Sequence, residues 1–385
     1  MHELEAIIVA NEKSIKRDET TFLATIVNTF GSTYRQKGAK MLITENGEMV
    51  GTLSGGCVEN DIFQYTKQID SGPILINYDA TSDEDLIWGF GLGCNGAVQI
   101  LLEKLNQDNF LSPLNLITEC LKQKKIGAIA TIFAVEGTID LKVGSRLIIY
   151  PDKRTDTDIQ NRELQQAISV TAKNIQHSTV SKYQLSSGSV EVFMEVIQPP
   201  TSLIIFGAGR DALPVVELAK VIGWEVTVVD CRAQSETYQR FATSDKIILT
   251  RREIINQQIS VDENTVTVVM THNYFDDRDI IKYLLPTSIP YLGVMGSKNR
   301  INQIIQELNP TKTQLEKLYS PIGLDIGAET PAEIANAIIA EIQAVLAKRN
   351  AGFLKHRSGP LHQRYSVLEV NEVHPTRAPK RTLPS

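Results

Sequence analysis

The 385-residue chain carries only four cysteines, Cys57, Cys94, Cys120 and Cys231, widely spaced and with no Cys-x-x-Cys pair. That spacing argues against a disulfide framework and a zinc ribbon, and it leaves the thiols reduced. A basic excess is missing too. With 39 Lys and Arg against 45 Asp and Glu, the formal net charge is −6, which makes wrapping nucleic acid or lying on an anionic membrane an unexpected main task. No apolar run approaches the roughly 18 residues of a membrane helix, and the opening Met-His-Glu-Leu-Glu-Ala shows no basic segment leading into an apolar one. The expectation is a cytoplasmic protein whose partners are small molecules or other proteins. The length admits two or three domains, each able to bury its own core.

The chain divides at Gln198-Pro199-Pro200-Thr201, where two prolines break regular structure just before a clear strand. The expected fold is α/β: an α+β domain over residues 1–198, then a Rossmann-type doubly wound parallel sheet over 199–348. Residues 349–385 hold prolines, histidines and basic residues with little periodicity, and read as a poorly ordered or partner-docking tail.

The first half carries an internal echo. "ATIVNTFGSTYRQKGAKMLI" from Ala24 matches "ATIFAVEGTIDLKVGSRLII" from Ala130, placing Gly31 on Gly137, Gly38 on Gly144 and Lys40 on Arg146. "CNGAVQILLE" from Cys94 lies on "SSGSVEVFME" from Ser186, with Gly96 over Gly188. These anchors define a candidate repeat, 20–105 and 125–198, whose second copy lacks a counterpart to "SGGCVEND". Chance similarity between glycine-turn hairpins is the competing explanation.

In the second half, Gly207, Gly209 and Ala212 fit G-x-G-x-x-G/A between an apolar strand and a helical run from Leu213, and Asp230 ends the next strand. Gly207 suits the tight turn, Gly209 the approach of a pyrophosphate, Ala212 close packing of helix on strand, and Asp230 a ribose diol. The expected ligand there is NAD(P) or another nucleotide. Arg210 and Arg232 read equally well as phosphate contacts or solvated surface charges. A second apolar strand ends at Thr271-His272, where an open parallel sheet presents its crevice, and a satisfied strand-end histidine is the favoured role for His272. Gly296-Ser297 forms another turn suited to an anion. Thr330-Pro331-Ala332-Glu333 has the form of a capping box opening the last helix.

Taken together, "GSTYRQKGAKMLI", "GTLSGGCVENDI", "GFGLGCNGAVQILLE", the Rossmann segment, "YLGVMGSKNR" and "PIGLDIGAETPAEIANAIIAEI" resemble the XdhC/CoxI family over residues 5 to 345. These are accessory factors of xanthine dehydrogenase and related molybdenum hydroxylases. The resemblance implies a chaperone that binds the molybdenum cofactor, as molybdopterin or its cytosine dinucleotide form. Such a chaperone holds the cofactor while a cysteine desulfurase supplies the sulfido ligand, then delivers it to an apo hydroxylase. The chain departs from the family at Tyr34, where proline is common, at Arg210, where histidine is common, and in Thr271-His272-Asn273-Tyr274, which stands for a Thr-His-Asp-His run.

"TLSGGCVEND" is then the stretch to explain. Gly55 and Gly56 let the chain turn sharply, and a thiol at the following helix start feels the positive end of the dipole, which favours thiolate. Thiolate is the form that binds a soft metal or accepts sulfur. Cys57 and Cys94, both set among glycines, are therefore the candidate cofactor and metal ligands, with Arg35 and Lys40 as candidates for the pterin phosphate. Cys120 and Cys231 read as structural. No catalytic residue is assigned, and a homodimer is a further expectation. The alternative is an NAD(P)-dependent oxidoreductase with His272 as proton donor, a reading the Rossmann turn alone would favour.

Overall fold

Every position from Thr21 to Asn28 is buried, so this strand is covered on both faces and shows none of the alternation of a half-exposed one. The computed structural model describes residues 2–56, 58–69, 72–79, 96–106, 109–232, 236–358 and 368–372. The chain forms two compact units that meet in sequence between Pro199 and Pro200.

The first unit runs α1 (His2–Lys16), β1 (Thr21–Gly31), β2 (Lys40–Thr44), β3 (Met49–Gly51), α2 (Glu59–Thr66), β4 (Ile74–Asp79), β5 (Gly96–Lys104) and α3 (Pro113–Gln123). It continues through β6 (Gly127–Gly137), β7 (Arg146–Ile149), β8 (Thr155–Thr157), α4 (Arg162–Asn174), β9 (Thr179–Leu185) and β10 (Gly188–Ile197). One sheet has the order β3-β2-β1-β5-β4, and the other contains β9-β10-β6-β7-β8. Reversed, the second order is β8-β7-β6-β10-β9, so the two sheets share one connectivity.

The likeness extends to detail. Gly31 faces Gly96 and Gly137 faces Gly188. β1 shifts register between Ile26 and Asn28, and β6 shifts between Ile132 and Ala134. The Gly38 N–H donates to the Ile26 carbonyl and the Gly144 N–H to that of Ile132, each at 2.8 Å. The inner faces share apolar clusters that join Leu23 and Leu42 to Ile129, Ile148 and Ile197, and Val27 and Leu101 to Phe133, Val180 and Phe193. α2 covers the outer face of the first sheet through Ile62, and α4 that of the second through Leu164 and Ile168. Each such side chain taken from water contributes about 1.5–3 kcal/mol. Leu368–Glu372 adds a parallel strand beside β9.

In the second unit, β11 (Ser202–Phe206), β12 (Glu225–Asp230), β13 (Lys246–Leu249), β14 (Thr265–Val269), β15 (Tyr291–Val294) and β16 (Leu318–Tyr319) form an all-parallel sheet of order β13-β12-β11-β14-β15-β16. This is the full doubly wound Rossmann order, with its switch point between β11 and β14. α5 (Leu213–Val221) and α11 (Pro331–Leu346) cover one face through Val215, Val216, Ile338 and Ile342. α8 (Tyr274–Leu284) and α9 (Lys298–Leu308) cover the other through Ile280, Leu284, Ile301 and Ile304. Short α6 (Glu236–Arg240), α7 (Ile255–Gln258) and α10 (Lys312–Leu315) complete the connections. α11 opens on the expected capping box, with Thr330 and Glu333 exchanging hydrogen bonds. Among the described residues no helix is long and apolar enough to cross a membrane.

Candidate functional site

The loop entering α2 is built around one carboxylate. Glu59 accepts hydrogen bonds from the backbone N–H groups of Leu53, Ser54, Gly56 and Val58, at 2.9 to 3.2 Å, and from the hydroxyls of Thr52 and Ser54. Gly55 and Gly56 have φ of +83° and +116°, left-handed values that a side chain would strain. Burial alone would raise the Glu59 carboxyl, but the hydrogen bonds from Ser54 and Thr52 outweigh it and hold the pKa down to about 2. The loop is thus fixed as an anion-centred turn on both sides of position 57. Cys57 itself, and Cys94, lie outside the described residues. Among the described residues no group of His, Cys, Asp and Glu is arranged to hold a metal.

Tyr34 packs its ring over Gly55, 3.3 Å from where a Cβ would stand. Arg35 forms a two-pronged ion pair with Glu3, at 2.5 and 3.2 Å, and Glu3 also accepts the Thr52 N–H at 3.1 Å. Arg35 therefore lies beside the turn, one carboxylate away. Lys40 does not stand at a phosphate site. Its ammonium is buried and paired with Glu195, and it also donates to the Gly38 carbonyl. An ammonium this far from solvent, with a carboxylate already against it, is occupied in holding the two sheets together. At the equivalent place Arg146 pairs with Glu103 at 2.6 Å, again buried. Cys120 is fully buried and Cys231 half-buried, and burial pushes each thiol up to about 12.

The second candidate site is the crevice at the carboxyl ends of β11, β12 and β14, about 290 Å³ in volume and lined by Gly207, Gly209, Asp230, Arg232, Arg240 and His272 among others. Gly207 has φ +129°, and a Cβ there would stand 2.3 Å from the Met270 carbonyl, so glycine is required for β11 and β14 to close. Ala212 is fully buried under α11, in the packing role expected of it. Gly209 differs from expectation: the space its Cβ would fill is taken by Asp211 Oδ1, at 2.3 Å. Asp211 Oδ2 meets His272 Nε2 at 2.7 Å. His272, at φ +60°, is thus the partner of a turn carboxylate.

Asp230 also departs from the expected role. It is 3% exposed, and its two oxygens accept the Arg232 N–H at 2.9 Å and the Thr237 hydroxyl at 2.6 Å. Asp230 still lines the crevice, but both of its oxygens are already accepting hydrogen bonds, and those bonds tie β12 to α6. Sequence reasoning passed over Glu59, Asp211, Glu195 and Arg240. Glu59, three positions after Gly56, had the spacing of half a capping box, and Asp211 was visible as an acid inside the glycine turn. Glu195 and Arg240 gave no local signal.

Residues 203–342 match the family described as the XdhC Rossmann domain, and residues 14–79 match the XdhC and CoxI family. A Bacillus subtilis (strain 168) protein described as a probable xanthine dehydrogenase subunit is 33% identical over 332 residues, 85% of this chain and 94% of that protein. The chain belongs to the XdhC and CoxI family. It is also similar to the Escherichia coli (strain K12) molybdenum cofactor insertion chaperone PaoD, 21% identical over 334 residues, 84% of this chain and 82% of PaoD. A crystal structure from Bacillus halodurans, described as a xanthine dehydrogenase, superposes with a TM-score of 0.72 at 28% identity. The match covers 90% of this chain and 97% of that one.

Proposed function

We propose that this protein is a maturation factor for a molybdenum hydroxylase such as xanthine dehydrogenase. It binds the molybdenum cofactor as cargo, as molybdopterin or its cytosine dinucleotide form, while a cysteine desulfurase supplies the sulfido ligand. It then delivers the cofactor to the apo hydroxylase. The observation that carries this reading is the Glu59-centred turn, which holds the backbone on both sides of Cys57 in a conformation two left-handed glycines make possible. Cys57, which the sequence places between Gly56 and the helix that begins at Glu59, is the thiol this reading assigns to a soft metal, which it would bind as thiolate. Support comes from the relatives, since PaoD is described as an insertion chaperone and the Bacillus subtilis protein as a probable xanthine dehydrogenase subunit. Arg35, beside the turn, is the basic group available to a pterin phosphate once it exchanges Glu3 for that anion.

The test is the molybdenum and oxidised-pterin content of the full chain purified from a molybdenum-supplied host, followed by activation of a cofactor-free hydroxylase. Cys57→Ala is expected to fold as wild type yet retain and deliver no cofactor, with a milder defect for Cys94→Ala and none for Cys120→Ala. Cys57→Ala that holds and delivers cofactor like wild type would overturn the reading.

A further inference from the structure

We propose that the Rossmann crevice is a diphosphate site read by arginine, one that takes a nucleoside diphosphate by its phosphates and leaves the ribose diol unread. Three arginines, Arg210, Arg232 and Arg240, line the crevice. Arg240 reaches from α6 across the glycine turn to donate to the Ala208 carbonyl at 2.8 Å. Arg232 reaches from the end of β12 to donate to the Thr271 carbonyl at 3.3 Å. These two carbonyls sit at the ends of β11 and β14, on either side of the switch point, so the two positive charges converge where this sheet order places a ligand. None of the three forms an ion pair among the described residues, and a guanidinium bonded only to a neutral carbonyl keeps its charge available to a planar or tetrahedral anion.

Asp211, Asp230 and Asp276 each already have a protein partner. Asp230 accepts from Thr237 and the Arg232 backbone, Asp276 lies 3.3 Å from Arg252, and Asp211 is held by His272. The group that would read a ribose diol is thus already engaged by protein donors, whereas Arg232 and Arg240 are bonded only to neutral carbonyls. Asp211 adds a constraint of its own, because its carboxylate occupies the approach to Gly209 that a diphosphate would use. An incoming diphosphate is held on the Arg232 and Arg240 side and is opposed by the Asp211 charge. The volume, about 290 Å³, is at the bottom of the range for small-molecule pockets and suits a mononucleotide portion, not an extended dinucleotide.

This inference concerns the second unit and stands or falls independently of cofactor handling by the first. Calorimetric titration of the full chain with ADP, 2′-deoxy-ADP, inorganic pyrophosphate and adenosine tests it directly. ADP and 2′-deoxy-ADP are expected to bind within threefold of each other, pyrophosphate to compete with both, and adenosine not to bind. Arg240→Gln and Arg232→Gln are each expected to weaken ADP at least tenfold with an unchanged circular dichroism spectrum, and Asp211→Asn to strengthen it several-fold. Should an arginine variant fail to fold, the ligand series on the wild type still decides. Absence of any binding at millimolar ligand overturns the proposal, as does ADP binding tenfold or more tighter than its 2′-deoxy form.

Discussion

Lys40 and Glu195 form an ion pair inside the first unit, with Lys40 2% exposed and the two residues 155 positions apart in sequence. The pair joins β2 of one sheet to β10 of the other. Its counterpart, Arg146 with Glu103, joins β7 of the second sheet to β5 of the first. The two sheets are therefore cross-linked reciprocally, by a cation from each and an acid from each. A salt bridge buried this deeply adds little net stability over an apolar pair, but removing one partner leaves an uncompensated charge.

Lys40→Met is accordingly expected to destabilise the first unit by about 3–5 kcal/mol, read as a lower urea midpoint at unchanged slope. Lys40→Met combined with Glu195→Leu is expected to recover most of that loss. A site role for Lys40 would give the opposite pattern, with cofactor lost and stability kept.

The turn around Glu59 carries a pH signature. Its carboxyl is held at about 2 against an ordinary value of 4.5, so the ionised form is favoured by the fold. The stabilisation is complete above about pH 4.5 and is lost as the pH falls through 2. In a carboxyl-resolved NMR titration Glu59 is expected to stay ionised well below the ordinary glutamate value of 4.5. Glu59→Gln is expected to cost about 3 kcal/mol at neutral pH, since it removes the charge that several donors share. The difference between variant and wild type should shrink between pH 4.5 and 2.

The two described thiols make a third test. With pKa values near 12, Cys120 and Cys231 hold on the order of one thiolate in ten thousand at pH 8. A Cys57→Ala/Cys94→Ala variant is therefore expected to take up no iodoacetamide in its native state and two equivalents per chain in guanidinium chloride. Labelling of the native double variant at the rate of a free thiol would show that one of these sulfurs is open to solvent.

Much of the second unit was legible from short-range pattern. The strand into Gly207, the helix from Leu213, the strand ending at Asp230 and the Thr330 capping box all appear where the sequence places them. Each rests on interactions within a few residues, on apolar periodicity, or on a backbone conformation only glycine adopts without strain. The echo between Gly31 and Gly137, or Lys40 and Arg146, was legible for the same reason. Equivalent backbone demands at two places leave equivalent residues behind.

Side-chain direction was decided only by the tertiary structure. Asp230 ends its strand as expected, yet Thr237 and the Arg232 backbone already occupy its carboxylate oxygens. Lys40 matches Arg146 in sequence, but that alignment could not reveal that the acid each one needs sits on the opposite sheet. Gly209 has the spacing of a pyrophosphate turn, and Asp211 fills the gap it leaves. A charged group goes where its solvation can be replaced, and in a folded chain that replacement comes from residues far away in sequence. The sequence by itself therefore determined the strands, turns and glycine positions, and the assembled fold determined which of the charges remained free to bind a ligand.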